Sequence, residues 1–432
     1  MNFHRIARAA LAAVILSGIS TFSARADGFY TPAASEVAGR PGTLIRAQKF
    51  TPPPGASAAY RVLYRSTNGA GKPIAVSGMV VVPDKAVPQG GRKVVSWAHA
   101  TSGVARQCAR SLHPSLFTTI YGLPDLLAQG IVVAATDYPG LGGPGVHPYL
   151  IGVDQGNSVI DIARAARALP DAQAGSEFAV AGYSQGGQAA LYAGILAKGY
   201  APELDLVAIA AAAPPTDLKA LIRATQDDPV GRVFATYAIA SWSRLYDIPL
   251  DGVITKSVRL VVDNMAGVCN IDSAQSLRLL FTEQAFEREG FLQRDVTAMS
   301  PWKELLAKNS PGPTPKGVPV FIAQGMSDRI VRPAVTQNYV EKLCARGTHL
   351  TLVPVRGGHV ETGPGAGKPM AAWLADRFAG KAAPSDCGAA QVQIRKGRST
   401  TSAPPVKAVQ STIPLEKRFY VVDAQNDVDQ EG

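Results

Sequence analysis

After residue 40 the chain runs through short apolar stretches broken by turn residues. Tyr60–Ser66 and Ile74–Val82 read as strands, and Thr67-Asn-Gly-Ala-Gly-Lys-Pro73 between them holds an Asn-Gly pair that favours a hairpin turn. Leu44–Phe50 supplies an earlier strand. Farther on, apolar runs recur at Lys93–Ala98, Ile131–Thr136, Phe178–Tyr183, Leu206–Ala212, Val318–Gln324 and His349–Val355. Helical spacing fills the intervals. Ser115–Gln129 reads as a helix with a split at Pro124, and Asp154–Leu169 carries Ile160, Ala163 and Arg167 on one face and stops at Pro170. Gln188–Lys198 ends near Gly199, Pro333–Arg346 is closed by Gly347, and Lys368–Phe378 comes last. Strands alternating with helices imply right-handed crossovers. The fold class is therefore α/β, with a mostly parallel central sheet and helices on both faces.

One interval breaks this rhythm. About a hundred residues separate the strand ending near Ala213 from the one starting at Val318, far more than a strand-to-strand connection needs. The interval holds helical segments at Val230–Leu245, Ser273–Glu289 and Pro301–Lys308, between Pro214-Pro215 and Pro311-Gly-Pro-Thr-Pro315. It reads as a helical cap above the carboxyl ends of the strands. The expected division is a signal segment 1–26, a core of 27–213 and 317–387, a cap of 214–316, and a tail or flap of 388–432 with a strand at Arg418–Val422.

Composition agrees with a buried core: 46% of residues are apolar and 18% charged. Arg5 and Arg8 precede the apolar run Ala9–Ile19, and Ala24-Arg25-Ala26 offers the small residues of a cleavage site, so export to a periplasm or beyond is expected. A run this short does not span a bilayer. Cleavage lowers the formal charge from +10 to +7, and the remaining Lys and Arg are scattered, which argues against a nucleic-acid partner. Nothing in the pattern calls for an oligomer, and a monomer is expected. Cys108, Cys269, Cys344 and Cys387 lack zinc-site spacing and, in an exported chain, suggest two disulfides.

The chemistry centres on Gly182-Tyr-Ser-Gln-Gly186, placed between a strand and a helix. Such a turn exposes the hydroxyl of Ser184 at the sheet edge as a nucleophile. A serine needs a base, and among the six histidines His359, just past the last strand, has the right position. The acid that orients the base follows the preceding strand as Asp328; Asp137 precedes the serine and reads as a loop anchor. The charge on a reacting carbonyl oxygen needs donors, and the backbone N–H of Gln185 is one. The second comes from the small-residue loop after the Val94–Trp97 strand, at Ala100 or Thr101. His99 reads as packing beneath the elbow. No metal or organic cofactor is called for.

With these residues in place, the chain resembles the secretory lipase family of α/β-hydrolases, the lipase A type of fungi and bacterial relatives. The resemblance rests on Leu63-Tyr-Arg-Ser66, Ser96–Gly103 leading to Cys108, Asp137–Gly142 with His147-Pro-Tyr-Leu150, Gly182–Gly187, Pro214-Pro-Thr-Asp217, Gln324-Gly325 with Asp328, and Gly358-His359. It implies the α/β-hydrolase fold, a Ser-Asp-His triad, a cap over an acyl-binding tunnel, hydrolysis of carboxylic esters, and two disulfides; the partner to expect is a small-molecule or lipid ester substrate, with a lipid interface as a candidate surface. By position the disulfides are Cys108 with Cys269 and Cys344 with Cys387. Cap residues Val233, Phe234, Tyr237, Ile239 and Trp242 are expected to line the pocket or to form the cap's own core. A peptidase or amidase on this scaffold would instead need a charged cap residue such as Arg232, Arg244 or Glu304, and a non-catalytic surface protein would be expected to lack a triad member.

Overall fold

The computed structural model describes residues 28–388 apart from 114, 227, 284–285 and 287–289. The expected signal segment and the expected strand at Arg418–Val422 lie outside the described residues. Nine strands form one sheet: β1 (Leu44–Phe50), β2 (Ala56–Thr67), β3 (Pro73–Pro83), β4 (Arg92–Ala98), β5 (Val132–Thr136), β6 (Ala174–Tyr183), β7 (Asp205–Ala212), β8 (Val320–Gly325) and β9 (Leu350–Val355). Their spatial order is β1-β2-β3-β5-β4-β6-β7-β8-β9. The first three run antiparallel, β3 meets β5 antiparallel, and every later pairing is parallel. In the β2–β3 hairpin, Asn68 organises the loop: its side-chain oxygen accepts from the Ala70 and Lys72 amides at 3.0 and 2.9 Å.

Alternation along each strand sorts side chains to two cores. Val94 and Ala98 of β4, Phe178 and Val180 of β6, and Ile209 and Ala211 of β7 face helices α2 (Gly152–Arg167), α3 (Gln185–Tyr200) and α9 (Pro333–Ala345). Val95, Trp97, Ala179, Ala181, Ala210 and Ala212 face α1 (Leu123–Ala128) and α10 (His359–Phe378). Both faces are covered, which is why the parallel strands read as nearly continuous apolar runs.

Two helix expectations need correction. The Ser115–Gln129 segment breaks at Gly122 (φ +84°), and Pro124 lies in the first turn of α1, where its missing N–H costs nothing. The last helix begins at His359 and not at Lys368, with Pro364 and Pro369 inside it. Packing outweighs propensity there. A Cβ on Gly363 would stand 2.4 Å from the Tyr121 ring and one on Gly367 2.9 Å from the Gly122 nitrogen, so glycine lets α10 lie directly on that loop.

The insertion between β7 and β8 contains α4 (Leu218–Thr225), α5 (Pro229–Tyr246), α6 (Lys256–Ala266), α7 (Ser273–Glu283) and α8 (Trp302–Lys308). Helices α4 and α6 are absent from the sequence reading; α6 is amphipathic, burying Val258, Val262 and Met265. These helices share a core of their own, in which Trp242 stacks on Trp302 at 6.2 Å and which also takes in Tyr149, Leu150 and Ile151. Two disulfides are present, Cys108–Cys269 between core and insertion and Cys344–Cys387 at the end of α9.

Candidate active site

Ser184 occupies the turn from β6 into α3 with φ 56° and ψ −120°, a conformation that a side chain rarely adopts. The neighbouring glycines are what permit it. A Cβ on Gly182 would lie 2.2 Å from the Gly186 carbonyl oxygen, and one on Gly186 1.9 Å from that of Ala98. The Ser184 amide donates to the Ala212 carbonyl at 2.9 Å, which anchors the turn to β7.

Ser184 Oγ lies 2.8 Å from His359 Nε2, and His359 Nδ1 lies 2.7 Å from Asp328 Oδ2. All three are buried, with Ser184 the most open at 9% exposure. Loop contacts bring the acid and the base together: the Met326 amide donates to the Val355 carbonyl at 3.0 Å and the Ser327 amide to the Gly357 carbonyl at 2.8 Å. Asp328 Oδ1 accepts from the Ile330 and Val331 amides at 2.9 and 2.8 Å, leaving Oδ2 to the imidazole. Gln324, itself held by Thr336 at 2.6 Å, approaches Oδ2 at 3.4 Å. Tyr183 donates its hydroxyl to the His359 carbonyl at 2.7 Å, fixing the first turn of α10.

Gln185 is the first residue of α3, so its N–H has no acceptor within the helix. The loop from Ala98 to Gly103 is pinned on several sides. His99 Nδ1–H donates to the Ala100 carbonyl at 2.6 Å, Thr101 Oγ1 pairs with the Tyr149 hydroxyl at 2.9 Å, and the Asn270 amide donates to the Ser102 carbonyl at 2.8 Å. Burial pushes the His99 imidazole down to about 3, and the neutral ring packs on Tyr138 at 4.5 Å. Asp137 is fully buried and accepts from the Ser77 hydroxyl at 2.6 Å and from the Ser111 amide at 2.9 Å. Burial raises its carboxyl above the usual range against those bonds.

The reading from residues alone gave His147 and Tyr149 no role. His147 Nδ1–H donates to the Pro139 carbonyl at 2.9 Å, and its Nε2 accepts from the side-chain amide of Gln185 at 3.1 Å. Burial pushes this imidazole down to about 4, keeping the Nε2 lone pair available. The only sequence signal for either residue is the His147–Leu150 stretch that carries part of the family resemblance.

Above Ser184 lies a narrow, tightly closed apolar cavity with a free volume of about 30 Å³, walled by Leu221, Ile222, Phe234, Ala235, Ala238 and Ile330 among others. Of the five expected cap residues, Phe234 alone lines it. Val233, Tyr237, Ile239 and Trp242 turn into the insertion's own core, because α5 presents its small-residue face to the serine. None of the three charged residues that would hold a peptide terminus lines it either. Arg232 donates to the Gln226 carbonyl at 2.9 Å, Arg244 pairs with Asp263 at 2.9 Å, and Glu304 accepts from the Ser300 hydroxyl at 2.9 Å.

The sheet order, the strained serine between strand and helix, and the helical insertion after β7 define an α/β-hydrolase. The solved structure of Candida antarctica lipase A superposes with a TM-score of 0.68 at 21% identity, over 85% of this chain and 93% of that one. A sequence profile for the family described as secretory lipase matches residues 117–386, and the chain belongs to that family. Relatives include lipase A of Moesziomyces aphidis, 27% identical over 233 residues, or 51% of this chain and about half (48%) of that protein. A probable inactive lipase of Mycobacterium tuberculosis is 25% identical over 82% of both chains. The secreted triacylglycerol lipase LIP4 of Malassezia globosa is 25% identical over 84% of this chain and 82% of its own.

Proposed function

We propose that this member of the secretory lipase family is an exported serine hydrolase of carboxylic esters, with Ser184 as nucleophile, His359 as base and Asp328 as its orienting acid. The observation that carries this reading is the hydrogen-bonded run from Ser184 through His359 to Asp328, set at a strained elbow that opens into an apolar cavity. Ser184 Oγ attacks the acyl carbon as its proton passes to His359 Nε2, and the imidazolium formed is stabilised by Asp328 Oδ2. The carbonyl oxygen gathers negative charge against the backbone N–H of Gln185, where the amino end of α3 adds its dipole. Thr101 supplies the second N–H. The His99 bond to the Ala100 carbonyl sets the plane of that peptide, and in a trans peptide the Thr101 N–H points the opposite way. Collapse expels the alcohol with the proton from Nε2, and water, activated by the same imidazole, releases the acid.

The apolar cavity under the proposed cap, residues 214–316, supports an acyl chain as the group bound there, and a lipid ester as the substrate class. Among the described residues its walls carry no charged side chain, which favours an ester over a peptide. The pair of disulfides and the secreted relatives support export, with residues 1–26 as the signal, 27–213 and 317–387 as the catalytic core, and 388–432 as a tail. One relative is named as a probable inactive lipase, so family membership alone does not decide activity; here all three triad groups lie within hydrogen-bond reach. The test is a fluorophosphonate together with p-nitrophenyl esters of short and long acids. One label per chain and ester hydrolysis, both lost in Ser184→Ala, are expected; a wild type that is neither labelled nor active refutes the proposal.

A further inference from the structure

The segment His147–Leu150 is irregular, buried, and tied by its four carbonyls to three helices, α2, α3 and α5. His147 O accepts from the Ser241 hydroxyl at 2.5 Å, Pro148 O from Gln155 at 2.7 Å, Tyr149 O from the Trp242 indole at 2.7 Å, and Leu150 O from Gln188 at 3.2 Å. The Tyr149 amide also donates to the Ser241 hydroxyl, at 3.1 Å. Ser241 and Trp242 lie on α5, the cap helix that walls the cavity, so this segment follows the position of α5.

Its side chains reach the other way. His147 Nε2 takes a hydrogen bond from the Gln185 side chain, and the Tyr149 hydroxyl pairs with Thr101 Oγ1. Gln185 and Thr101 are the two residues whose backbone N–H groups receive the oxyanion in the mechanism above. They come from opposite sides of the elbow, the start of α3 and the loop after β4, and two residues of one segment reach them, His147 touching Gln185 and Tyr149 touching Thr101. The hydrogen-bond pattern fixes the tautomer: with Nδ1–H spent on the Pro139 carbonyl, a neutral ring has Nε2 free to accept, and a cation in this fully buried place is disfavoured.

We infer that His147 and Tyr149 are positioning residues through which cap helix α5 sets the oxyanion-binding donors, so that the hole is complete only when the cap is seated. The inference rests on the assignment of Gln185 and Thr101 above. Oxyanion donors act on the transition state and hardly on the bound ester, and misplacing them lowers kcat while leaving KM nearly unchanged. Removing a donor costs 10²–10³-fold, so loosening two that remain present is expected to cost about tenfold.

The experiment compares wild type with Tyr149→Phe, Ser241→Ala and the double variant. The readouts are p-nitrophenyl butyrate kinetics, the endpoint stoichiometry of fluorophosphonate labelling, and the thermal midpoint. Tyr149→Phe removes the hydroxyl that pairs with Thr101, and Ser241→Ala removes two of the three cap-side bonds, leaving that of Trp242, and touches no triad group. The expected result is a kcat lower by about tenfold in each single variant, KM within about twofold, full labelling, and a double variant little worse than either single, since both changes lie on one path. An unchanged kcat, a change confined to KM, or losses that multiply in the double variant overturns the inference and leaves the triad intact. If Ser241→Ala does not fold, Tyr149→Phe decides alone. A wild type that neither hydrolyses nor labels overturns the underlying reading and this inference with it.

Discussion

The sheet-based core and the helical insertion between β7 and β8, the proposed cap, meet at Ser184, and each holds its side of the site by different means. In the core, backbone does the holding: glycines bring Gly182 and Gly186 against neighbouring carbonyls with no room for a methyl group, and Asp328 is fixed by two amides. In the cap, side chains do it. The large residues of α5 other than Phe234 pack inward on Trp302 and the other helices of the insertion, while Gly231, Phe234, Ala235 and Ala238 face the cavity. A backbone-held site tolerates almost no substitution without loss of chemistry, whereas a side-chain-held wall can be reshaped with the chemistry left running. The contrast separates what sets the reaction from what sets the substrate.

Substitutions in the proposed triad test the core side and carry the largest expected effects. His359→Ala is expected to lower kcat on p-nitrophenyl butyrate by about 10⁴-fold or more, and Asp328→Asn by about 10⁴-fold, with folding retained in both. A loss below tenfold in either would remove that residue from the mechanism. Next comes Gly186→Ala. Its methyl group would overlap the Ala98 carbonyl, and a loss of about 4 kcal/mol or more in denaturant unfolding is expected, or no folded protein. A variant of wild-type stability would show that the elbow yields, contrary to the contrast drawn here.

Ala238→Phe tests the cap side. It fills the cavity from α5, so kcat/KM for a decanoate ester should fall by about tenfold or more while that for the acetate ester changes little. Equal losses on both esters would mean that the cap wall acts on the reaction itself and not on the acyl chain.

The smallest effect concerns the junction. The folded-state value of His147, about 4, lies below the unfolded value of 6.5, so the stability it confers is present above pH 6.5 and is lost as pH falls through 4. The gap in thermal midpoint between wild type and His147→Gln is expected to be widest above pH 6.5 and to narrow by several degrees toward pH 4. Asp161 works in the opposite sense: burial raises it to about 6, so its contribution is full below 3.8 and lost as pH rises through 6. The comparison of variant with wild type cancels that term, and a gap that is flat with pH would contradict the neutral, buried His147.

The sheet was legible because each parallel strand is a short apolar run bounded by turns, and Ser184, Asp328 and His359 follow strand ends that the pattern marks. The cap was legible only as an interval. Helices α4 and α6 are short, and the turn of α5 that faces Ser184 depends on which large residues find partners in Trp302 and α6, far off in sequence. The start of α10 was hidden by Gly-Pro-Gly, whose fit against Tyr121 and Gly122 is a tertiary matter. His147 and Tyr149 were hidden for the same reason, since Ser241 and Trp242 lie more than ninety residues away along the chain.

The proposed mechanism passes through a covalent acyl-enzyme on Ser184, which mass spectrometry of a rapidly quenched reaction with p-nitrophenyl butyrate would detect. A burst of about one equivalent of p-nitrophenol per chain and a butyryl mass increment on the peptide carrying Ser184 are expected, both absent in Ser184→Ala. Hydrolysis that persists in Ser184→Ala, or an acyl group found on a different residue, would contradict that mechanism.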